Sequence, residues 1–466
     1  MPTRIDGRCL WLRQAIAPGE EDAPPLRGEM SADVCIVGGG LAGLRTALEL
    51  KRRQPSLDVA VVEADICGGG ASGRNSGMVL PQWAKFAALR QLGGTEDALR
   101  LCHASAAVVD ELEDFSRSHD IEFRRDSWIW GATCASQVGA WQGVIDALER
   151  AGARPFRPVG RDEIAALAGT TSFHAGIHTS CTATLHPGKL VRALRRAALA
   201  AGVRVFENSP MIRLERRTPP IVRTAKGSVS AGRVVLTLNA WSTRLPELRA
   251  AILVIASDDA VTAPIPDLLD RHRYRAGPIM NDSQVFVTGF RTTSDHRFTP
   301  GITGGIIGFG GLNWARFEGR SIREADIRAS VQRGFPALAG VPYVDSWCGP
   351  IDRTRSGLPL FGALPGHPDI LYGYGFSGNG LATTPLASRI LASLALGERD
   401  EWSACGLVRP VEPWMPPEPF RYVGALAVRA AIRRKDRLAY HGRQPGPIAG
   451  RLAALAPGGI VTTRLD

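Results

Sequence analysis

Residues 33–50, DVCIVGGGLAGLRTALEL, place three consecutive glycines between an apolar run and a segment with helical periodicity. The run from Val34 to Val37 is apolar without alternation, which is typical of a parallel strand buried on both faces. Leucines recur at helical spacing from Leu41 to Leu48, and Pro55 marks a point that the helix cannot pass. The next segment, LDVAVVEAD at residues 57–65, predicts a second buried strand. The stretch therefore predicts a βαβ unit of about 30 residues.

Three glycines of this unit fit the pattern G-x-G-x-x-G, and each has its own physical task. Gly38 permits the tight turn, and a side chain at Gly40 would keep a pyrophosphate away from the helix N-terminus, whose free N–H groups favour anions. A side chain at Gly43 would push the helix off the sheet. Glu63 ends the second strand, where a carboxylate accepts hydrogen bonds from ribose hydroxyls and repels a 2′-phosphate. The pattern predicts a dinucleotide site that disfavours NADP; the alternative is a glycine-rich turn in an ordinary α/β domain.

Composition and charge are consistent with a globular protein of two domains. The chain has 466 residues, of which 44% are hydrophobic. Its net charge of +11 suits nucleic acid, an anionic membrane or an acidic substrate, but the arginines form no basic–aromatic blocks, so we expect no nucleic-acid partner. Eight scattered cysteines without a C-x-x-C pair indicate a reducing compartment. Without a signal-peptide h-region or an uncharged apolar run of about 18 residues, we expect a soluble, cytoplasmic protein.

A second glycine-rich segment, ADICGGGASGRNSGMVLPQW at residues 64–83, follows Glu63 directly. Its small residues let the backbone pass close to a flat ligand, while its serines, arginine and asparagine offer hydrogen bonds. The alternative interpretation is a flexible surface loop.

Later segments predict more strands of the same sheet, separated by a different kind of sequence. A helix opening near His186, a strand around residues 203–207 and the run GRVVLTLNAWST at residues 232–243 suit a nucleotide-binding sheet. The intervening parts contain strand-like runs such as SQVFVTGFRTT at residues 283–293. We therefore expect an α/β fold, a Rossmann-like dinucleotide-binding domain with an inserted, mostly antiparallel β substrate domain. The predicted segments are residues 31–85, 183–250 and 345–400 for the first domain, 86–182 and 251–344 for the second, and 401–466 for a basic tail.

A third glycine-rich turn decides between dinucleotides. The segment DILYGYGFSGNGLATTPLASRILASLALG, residues 369–397, predicts a strand, a glycine-rich loop and an apolar-faced helix. An NAD dehydrogenase has no evident use for this second helix N-terminus. A flavin needs one site for ADP and another for its ring, where a helix N-terminus stabilises negative charge on the reduced form. The pair of sites favours FAD.

These motifs resemble the D-amino-acid-oxidase-like superfamily of FAD oxidoreductases, which includes glycine, sarcosine and γ-glutamylputrescine oxidases. The resemblance covers most of the chain, and EADICGGGASGRNSG, WCGPIDRTRSGLPLFGALPG, YGYGFSGNGL and PEPFRYVGALAVRAAIRRKDR resemble most a branch labelled aminophosphonate oxidoreductases, close to the γ-glutamylputrescine oxidases. It implies that the ADP half is held by Gly38, Gly40, Leu41, Ala42, Gly43, Glu63 and Ala64. The flavin and pyrophosphate would be lined by Ser72, Gly73, Arg74, Asn75 and Gly77, and the ring flanked by Gly375, Phe376, Gly378, Asn379, Gly380 and Leu381.

The mode of flavin attachment depends on one cysteine. Some sarcosine oxidases carry their flavin covalently on a cysteine, which the resemblance aligns with Gly349, one position from Cys348. We therefore expect non-covalent FAD and a buried free thiol; the alternative is a covalent bond to Cys348.

Three arginines are candidates for holding an anionic group of the substrate. They are Arg291 in GFRTTSDHR, and Arg353 and Arg355 in GPIDRTRSG. A guanidinium forms paired hydrogen bonds with carboxylate or phosphonate oxygens. The alternative for each is a structural ion pair.

Other patterns carry weaker hypotheses. His174, His178 and Cys181 have a spacing that a metal could use on a helix, but Gly176 and β-branched neighbours argue against that helix, so we expect no metal. The loop GFSGNG misses the G-x-S-x-G spacing of a serine hydrolase. The basic tail, residues 421–451, fits either a solvated helix or an anionic membrane surface, the latter suiting a dehydrogenase that reduces quinone.

The resemblance implies oxidation of a C–N bond in a small amine or amino acid, with an aminophosphonate as one option. Hydride passes from the α-carbon to flavin, and water hydrolyses the resulting imine. The electron acceptor that reoxidises the flavin is oxygen or another molecule. A flavin-binding subunit or sensor without turnover is the alternative from a different class.

Overall fold

The computed structural model describes residues 7–17, 19–274, 276–311, 317 and 319–457. Its strands in chain order are β1 Gly28–Val37, β2 Val59–Val62, β3 Met78–Val79, β4 Arg124–Ala132, β5 Arg157–Gly160, β6 Ala175–Thr184, β7 Arg204–Phe206, β8 Arg213–Glu215, β9 Ile221–Arg223, β10 Gly227–Leu236, β11 Leu253–Thr262, β12 Ile279–Asn281, β13 Thr288–Thr292, β14 Phe298–Ile302, β15 Tyr343–Arg353, β16 Leu360–Leu364 and β17 His367–Tyr374. Its helices are α1 Leu10–Ala15, α2 Leu41–Arg53, α3 Phe86–Ser116, α4 Gln142–Arg150, α5 Arg161–Ala168, α6 Pro187–Ala200, α7 Pro246–Arg249, α8 Pro266–Arg271, α9 Glu324–Gly334, α10 Thr384–Leu396, α11 Phe420–Tyr440 and α12 Pro447–Ala454.

The first sheet has the predicted parallel core. Strands β17, β10, β1, β2 and β7 lie side by side in that order and run parallel, and β16 adds an antiparallel edge. Val34 and Ile36 face a cluster shared with α2 and α10, whereas Cys35 and Val37 face a second cluster on the opposite side. Burial on both faces explains why this strand shows no polar alternation.

The second sheet is mostly antiparallel. Its order is β15, β11, β14, β13, β12, β4, β6 and β3, with β5 on β6, and of these only the β12–β4 pairing is parallel within the described residues. A cluster rich in aromatic side chains packs beneath it, with members Phe173, Tyr274, Phe290, Phe298 and Phe335. The α/β fold with an antiparallel second sheet is therefore confirmed.

The chain alternates between the two sheets, as the sequence pattern suggests. Strands β3 to β6 and β11 to β15 belong to the second sheet, and the remaining strands belong to the first. Two details differ from the predicted segments: β3 precedes the boundary at residue 86, and β15 continues in the second sheet to Arg353, beyond the boundary at residue 345. The division into domains at those residues stays a prediction.

An N-terminal segment, described over residues 8–17 and 19–26, is attached to the first sheet and its loops. Trp11 and Leu12 of α1 are each about 1% exposed. Arg8 pairs with both oxygens of Asp65 at 2.8 and 2.9 Å, and the thiol of Cys9 donates to the carbonyl of Gly73 at 3.3 Å. The segment therefore supports the second glycine-rich loop from behind.

A buried ionic cluster around Glu207 holds the same segment at Ala23. Glu207 accepts hydrogen bonds from the backbone N–H groups of Ala23 and Cys67, both at 2.6 Å. Its carboxylate also pairs with Arg192 at 3.1 Å and Arg195 at 3.0 Å, and Glu207 is 0% exposed. Every oxygen of this carboxylate is thus satisfied, as a buried charge requires.

The basic tail forms α11 and α12. Ala431 and Ile432 are buried, and Arg433 pairs with Asp326 at 3.0 Å, whereas Phe420 and Val423 are exposed. Within the ranges given above, none of the helices combines the length and the apolar character needed to cross a bilayer. Association of the tail with a membrane surface stays a prediction.

Candidate active site

Two cavities meet at the N-terminus of α2. The larger, of about 1250 Å³, lies where the parallel strands of the first sheet end, and Gly38, Gly40, Glu63 and Thr237 line it. The smaller, of about 190 Å³, lies between the two sheets. Gly40, Ser72 and Arg74 line both. This arrangement provides an elongated site with a wide end and a narrow end.

The glycines of the first motif make room in three different ways. Gly38 has φ +114°, in the region that favours glycine, and a Cβ there would lie 2.6 Å from the carbonyl oxygen of Thr237. At Gly40 a Cβ would lie 2.7 Å from the hydroxyl of Ser72. At Gly43 it would lie 1.9 Å from the carbonyl oxygen of Gly38, so α2 packs directly on the turn.

Glu63 lies at the end of β2 with both carboxylate oxygens hydrogen-bonded. It accepts from the backbone N–H of Gly39 at 2.6 Å and from that of Asp65 at 2.9 Å. Burial raises the pKa of Glu63 to about 7, although these two hydrogen bonds oppose the shift. Each oxygen has a second lone pair, so the carboxylate can still accept from hydroxyl groups of a ribose.

The smaller cavity combines residues from both sheets and from the third glycine-rich turn. Phe376, Gly378, Asn379, Gly380 and Leu381 line it from that turn. The second sheet contributes Ser257, Asp259, Asn281, Gly289, Gly301, Gly349 and Ile351. Glycines at three of these strand positions leave space where side chains would otherwise fill the cavity.

The two cavities fit a flavin dinucleotide. At Gly40 even one added methyl group would collide with Ser72, so the glycine preserves a shallow cradle at the helix N-terminus. In the smaller cavity, the hydroxyl of Thr384 is buried at the start of α10 and has no hydrogen-bond partner among the described residues. A polar ring edge would supply one.

The residues predicted to bind the cofactor divide into two groups. Those lining one or both cavities are Gly38, Gly40, Leu41, Ala42, Glu63, Ala64, Ser72, Arg74, Asn75, Phe376, Gly378, Asn379, Gly380 and Leu381. Gly43, Gly73, Gly77 and Gly375 do not line them, but a Cβ at each would lie within 2.5 Å of a neighbouring atom. Their role is therefore close packing behind the cavity walls; which of these residues contact FAD stays a prediction.

The three candidate arginines lie outside the lining of the two cavities, and their role in substrate binding stays a prediction. Arg291 is 2% exposed, and its guanidinium donates to the carbonyl oxygens of Ser76, Leu185 and Thr292. Arg353 is buried and Arg355 is exposed, and neither they nor Arg291 line either of the two cavities. Among the described residues, the arginine that lines the smaller cavity is Arg74, whose Nη1 donates to the carbonyl of Phe317 at 3.1 Å.

Two residues at the site escape prediction from sequence. Arg8 lines the larger cavity through its pair with Asp65, 57 residues away, and nothing local to Arg8 indicates this. Asp259 lines the smaller cavity, and here a signal exists: Asp258 and Asp259 are adjacent acids in a buried strand that begins with the apolar run LVIA. Adjacent acids in a buried strand are unusual enough to suggest a function.

The spacing proposed for a metal has no helix to support it. Residues 175–184 form β6, a strand, so His178 and Cys181 do not share a helix face with His174. Across the described part of the chain, no group of three or more His, Cys, Asp or Glu residues is arranged to hold a metal ion.

Cys348 lies beside the smaller cavity without lining it. Gly349 lines that cavity, whereas Cys348 packs in the apolar cluster that also contains Ala256 and Phe317. Burial raises the pKa of its thiol to about 12, so the thiolate needed for covalent attachment is scarce.

We therefore expect acid precipitation to release the flavin into the supernatant. The measurement is the absorbance of supernatant and pellet. A yellow pellet that becomes colourless in Cys348→Ala would establish a covalent link and contradict this expectation.

The parallel sheet, its dinucleotide cavity and the adjoining narrow cavity define a flavoenzyme. The sequence profile of the family described as FAD dependent oxidoreductase matches residues 33–394, and the chain belongs to that family. FAD is accordingly its cofactor. The family that the glycine-rich motifs resemble is therefore confirmed.

Individual relatives share less than a third of their residues with this chain. A probable oxidoreductase, OrdL, of Haemophilus influenzae is 27% identical over 397 residues, covering 82% of this chain and 86% of its own. The gamma-glutamylputrescine oxidoreductase of Escherichia coli is 28% identical over 392 residues, covering 81% and 87%. Among solved structures, glycine oxidase from Geobacillus kaustophilus superimposes with a TM-score of 0.67 at 20% identity, covering 83% of this chain and all of that one. The last comparison bears on the fold alone.

Proposed function

We propose that the protein oxidises the C–N bond of a small amine or amino acid to an imine, which water hydrolyses to a carbonyl compound and an amine or ammonia. The observation that carries the proposal is the narrow cavity of about 190 Å³, which adjoins the dinucleotide cavity and contains both an acidic and a basic side chain. The names of the relatives, an oxidoreductase of γ-glutamylputrescine and a glycine oxidase, support the same substrate class.

Bound FAD supplies the two-electron acceptor for this chemistry. The protein must position the α-carbon and exclude water. Phe376, Leu381 and Ile351 provide apolar walls for that purpose. Asp259 and Arg74 offer the charged groups that a zwitterionic substrate requires.

An anionic group on the substrate, such as a carboxylate or phosphonate, would meet Arg74, which lines the smaller cavity; Arg291, Arg353 and Arg355 stay further candidates for this contact. An aminophosphonate is therefore one substrate within the proposed class, and glycine and γ-glutamylputrescine are others. Replacing the anionic group by an ester distinguishes whether the charge is required.

The test is anaerobic bleaching of the bound flavin by a panel of amines. We expect loss of the oxidised absorbance with at least one of glycine, 2-aminoethylphosphonate and γ-glutamylputrescine, with slower reduction by its esterified analogue. Admitting air afterwards and following the return of absorbance tells oxygen from another acceptor. Flavin that no amine bleaches would favour a binding subunit or sensor.

A further inference from the structure

Asp259 is an acid inside the smaller cavity that the family assignment leaves without a role. It lies on β11 in register with Gly301 of β14 and Trp347 of β15, and it is 7% exposed. The preceding residue, Asp258, points to the other face, where it pairs with Arg323 at 2.9 Å and accepts from Ser321 at 2.7 Å. The two adjacent acids therefore have different surroundings.

The carboxylate of Asp259 is fixed at one oxygen only. Oδ1 accepts the hydroxyl of Ser76 at 2.8 Å, and a Cβ at Gly301 would lie 2.1 Å from it, so glycine is needed there. Oδ2 has no hydrogen-bond donor among the residues that the structure describes. Asp259 lines the smaller cavity, so a ligand there can donate to Oδ2, and a cationic donor best compensates the carboxylate of a residue that is largely buried.

Nearby protein charges do not supply that donor. Arg291, on β13, lowers the pKa of Asp259 by its charge, but its own hydrogen bonds go to backbone carbonyls. Arg74 lines the same cavity, and its Nη1 is held by the carbonyl of Phe317. Burial is the largest influence, and Asp258 acts in the same direction, so the pKa of Asp259 is raised to about 7.

We propose that Asp259 binds the ammonium group of the substrate and accepts one proton from it, which gives the neutral amine that can be oxidised. This rests on the proposed function. The N–H bond breaks and its proton joins Oδ2, while the electron pair stays on nitrogen. That pair would then form the C=N bond as the α-hydrogen leaves the carbon as hydride, and bound FAD would be the acceptor of the two electrons that the substrate loses.

Binding of an amine that cannot be oxidised tests whether Asp259 binds the ammonium group. The probe is tert-butylamine, a cation without an α-hydrogen, compared with the neutral isostere tert-butanol, and the signal is perturbation of the oxidised flavin spectrum. Wild type is expected to bind the amine about 10- to 150-fold more tightly, as a charge-assisted hydrogen bond provides. Asp259→Asn should lose this preference, whereas Asp258→Asn, on the opposite face, should keep it. FAD content and thermal midpoint are recorded for each variant.

The rate of flavin reduction tests whether Asp259 accepts a proton from the ammonium group. With an amine that bleaches the wild type, the rate is expected to rise as pH increases through about 7, because the basic form of the carboxylate accumulates; Asp259→Asn should lack this limb. If amines bleach both proteins alike, or the variant keeps the ammonium preference, the assignment of Asp259 is overturned and amine oxidation stands. If no amine bleaches the wild type, both fall together.

Discussion

Protein with Gly40 replaced by valine is expected to purify without FAD and to remain colourless when FAD is added. Gly40 lines both cavities, and even the first carbon of a side chain would lie 2.7 Å from the hydroxyl of Ser72. That hydroxyl accepts the N–H of Leu41 at 2.9 Å, so it cannot move without losing a hydrogen bond at the helix N-terminus. The two further carbons of valine would occupy the space through which a pyrophosphate reaches that helix end.

The measurement is the ratio of flavin to protein absorbance, with chromatography of the released chromophore to identify FAD. A matched control is Gly70→Ala, because Gly70 lines the same larger cavity but a Cβ there meets only Trp241, at 3.5 Å. The control should stay yellow. Normal FAD content in Gly40→Val would show that the phosphates do not pass this residue.

The largest expected effect on stability follows Glu207→Gln. The substitution leaves Arg192 and Arg195 buried beside a neutral group and sets an NH₂ against donors already directed at the carboxylate. Removing one partner of a buried ionic cluster costs about 3–5 kcal/mol. We expect a corresponding fall in the free energy of unfolding, measured by urea denaturation of the FAD-free protein.

Glu20→Gln is the control within the same cluster. Glu20 pairs with Arg192 at 2.7 Å, but its side chain is 12% exposed and water can replace part of the interaction, so the loss should be smaller. If Glu20→Gln loses as much free energy of unfolding as Glu207→Gln, or more, Glu207 does not make the larger contribution to the cluster that we expect.

The pH dependence of stability follows from the same carboxylate. Burial raises the pKa of Glu207, but the N–H groups of Cys67 and Ala23 and the two arginines outweigh it, so the pKa is lowered overall. A carboxylate whose pKa is lowered on folding stabilises the protein above its unfolded pKa, and the contribution is lost as pH falls. The difference between wild type and Glu207→Gln should therefore shrink in acid.

The parts of the fold that sequence predicts are those determined locally. The β1–α2–β2 unit follows from periodicity, glycine positions and one terminal carboxylate within about 30 residues. The start of α6 at Pro187 likewise follows from a local signal, the His186-Pro187 pair. The second sheet was predictable only as a strand-rich region, because its pairings join distant segments: Asp259 lies opposite Trp347.

The extent of a cavity along a strand limits prediction of the site, because residues two apart point to the same face and only one of them lines the cavity. Arg353 lies only two residues beyond Ile351, yet Ile351 lines the cavity and Arg353 does not. The guanidinium of Arg291 donates to backbone carbonyl groups of the chain itself, and no sequence motif predicts these contacts. Such outcomes depend on register and on neighbours that are distant in sequence.

The attachment of residues 8–26 also sets an order of events during synthesis. Ala23 donates to Glu207, 184 residues later in the chain, which a ribosome takes about 10 to 40 s to add. Trp11 packs against His186 at the start of α6 and against Trp347 of β15, and Leu12 belongs to the same apolar cluster as Trp347, so neither has its final surroundings until β15 has left the exit tunnel. This segment is therefore made before the elements that it packs against, and a nascent chain that stops before β15 leaves Trp11 and Leu12 without part of their apolar surroundings.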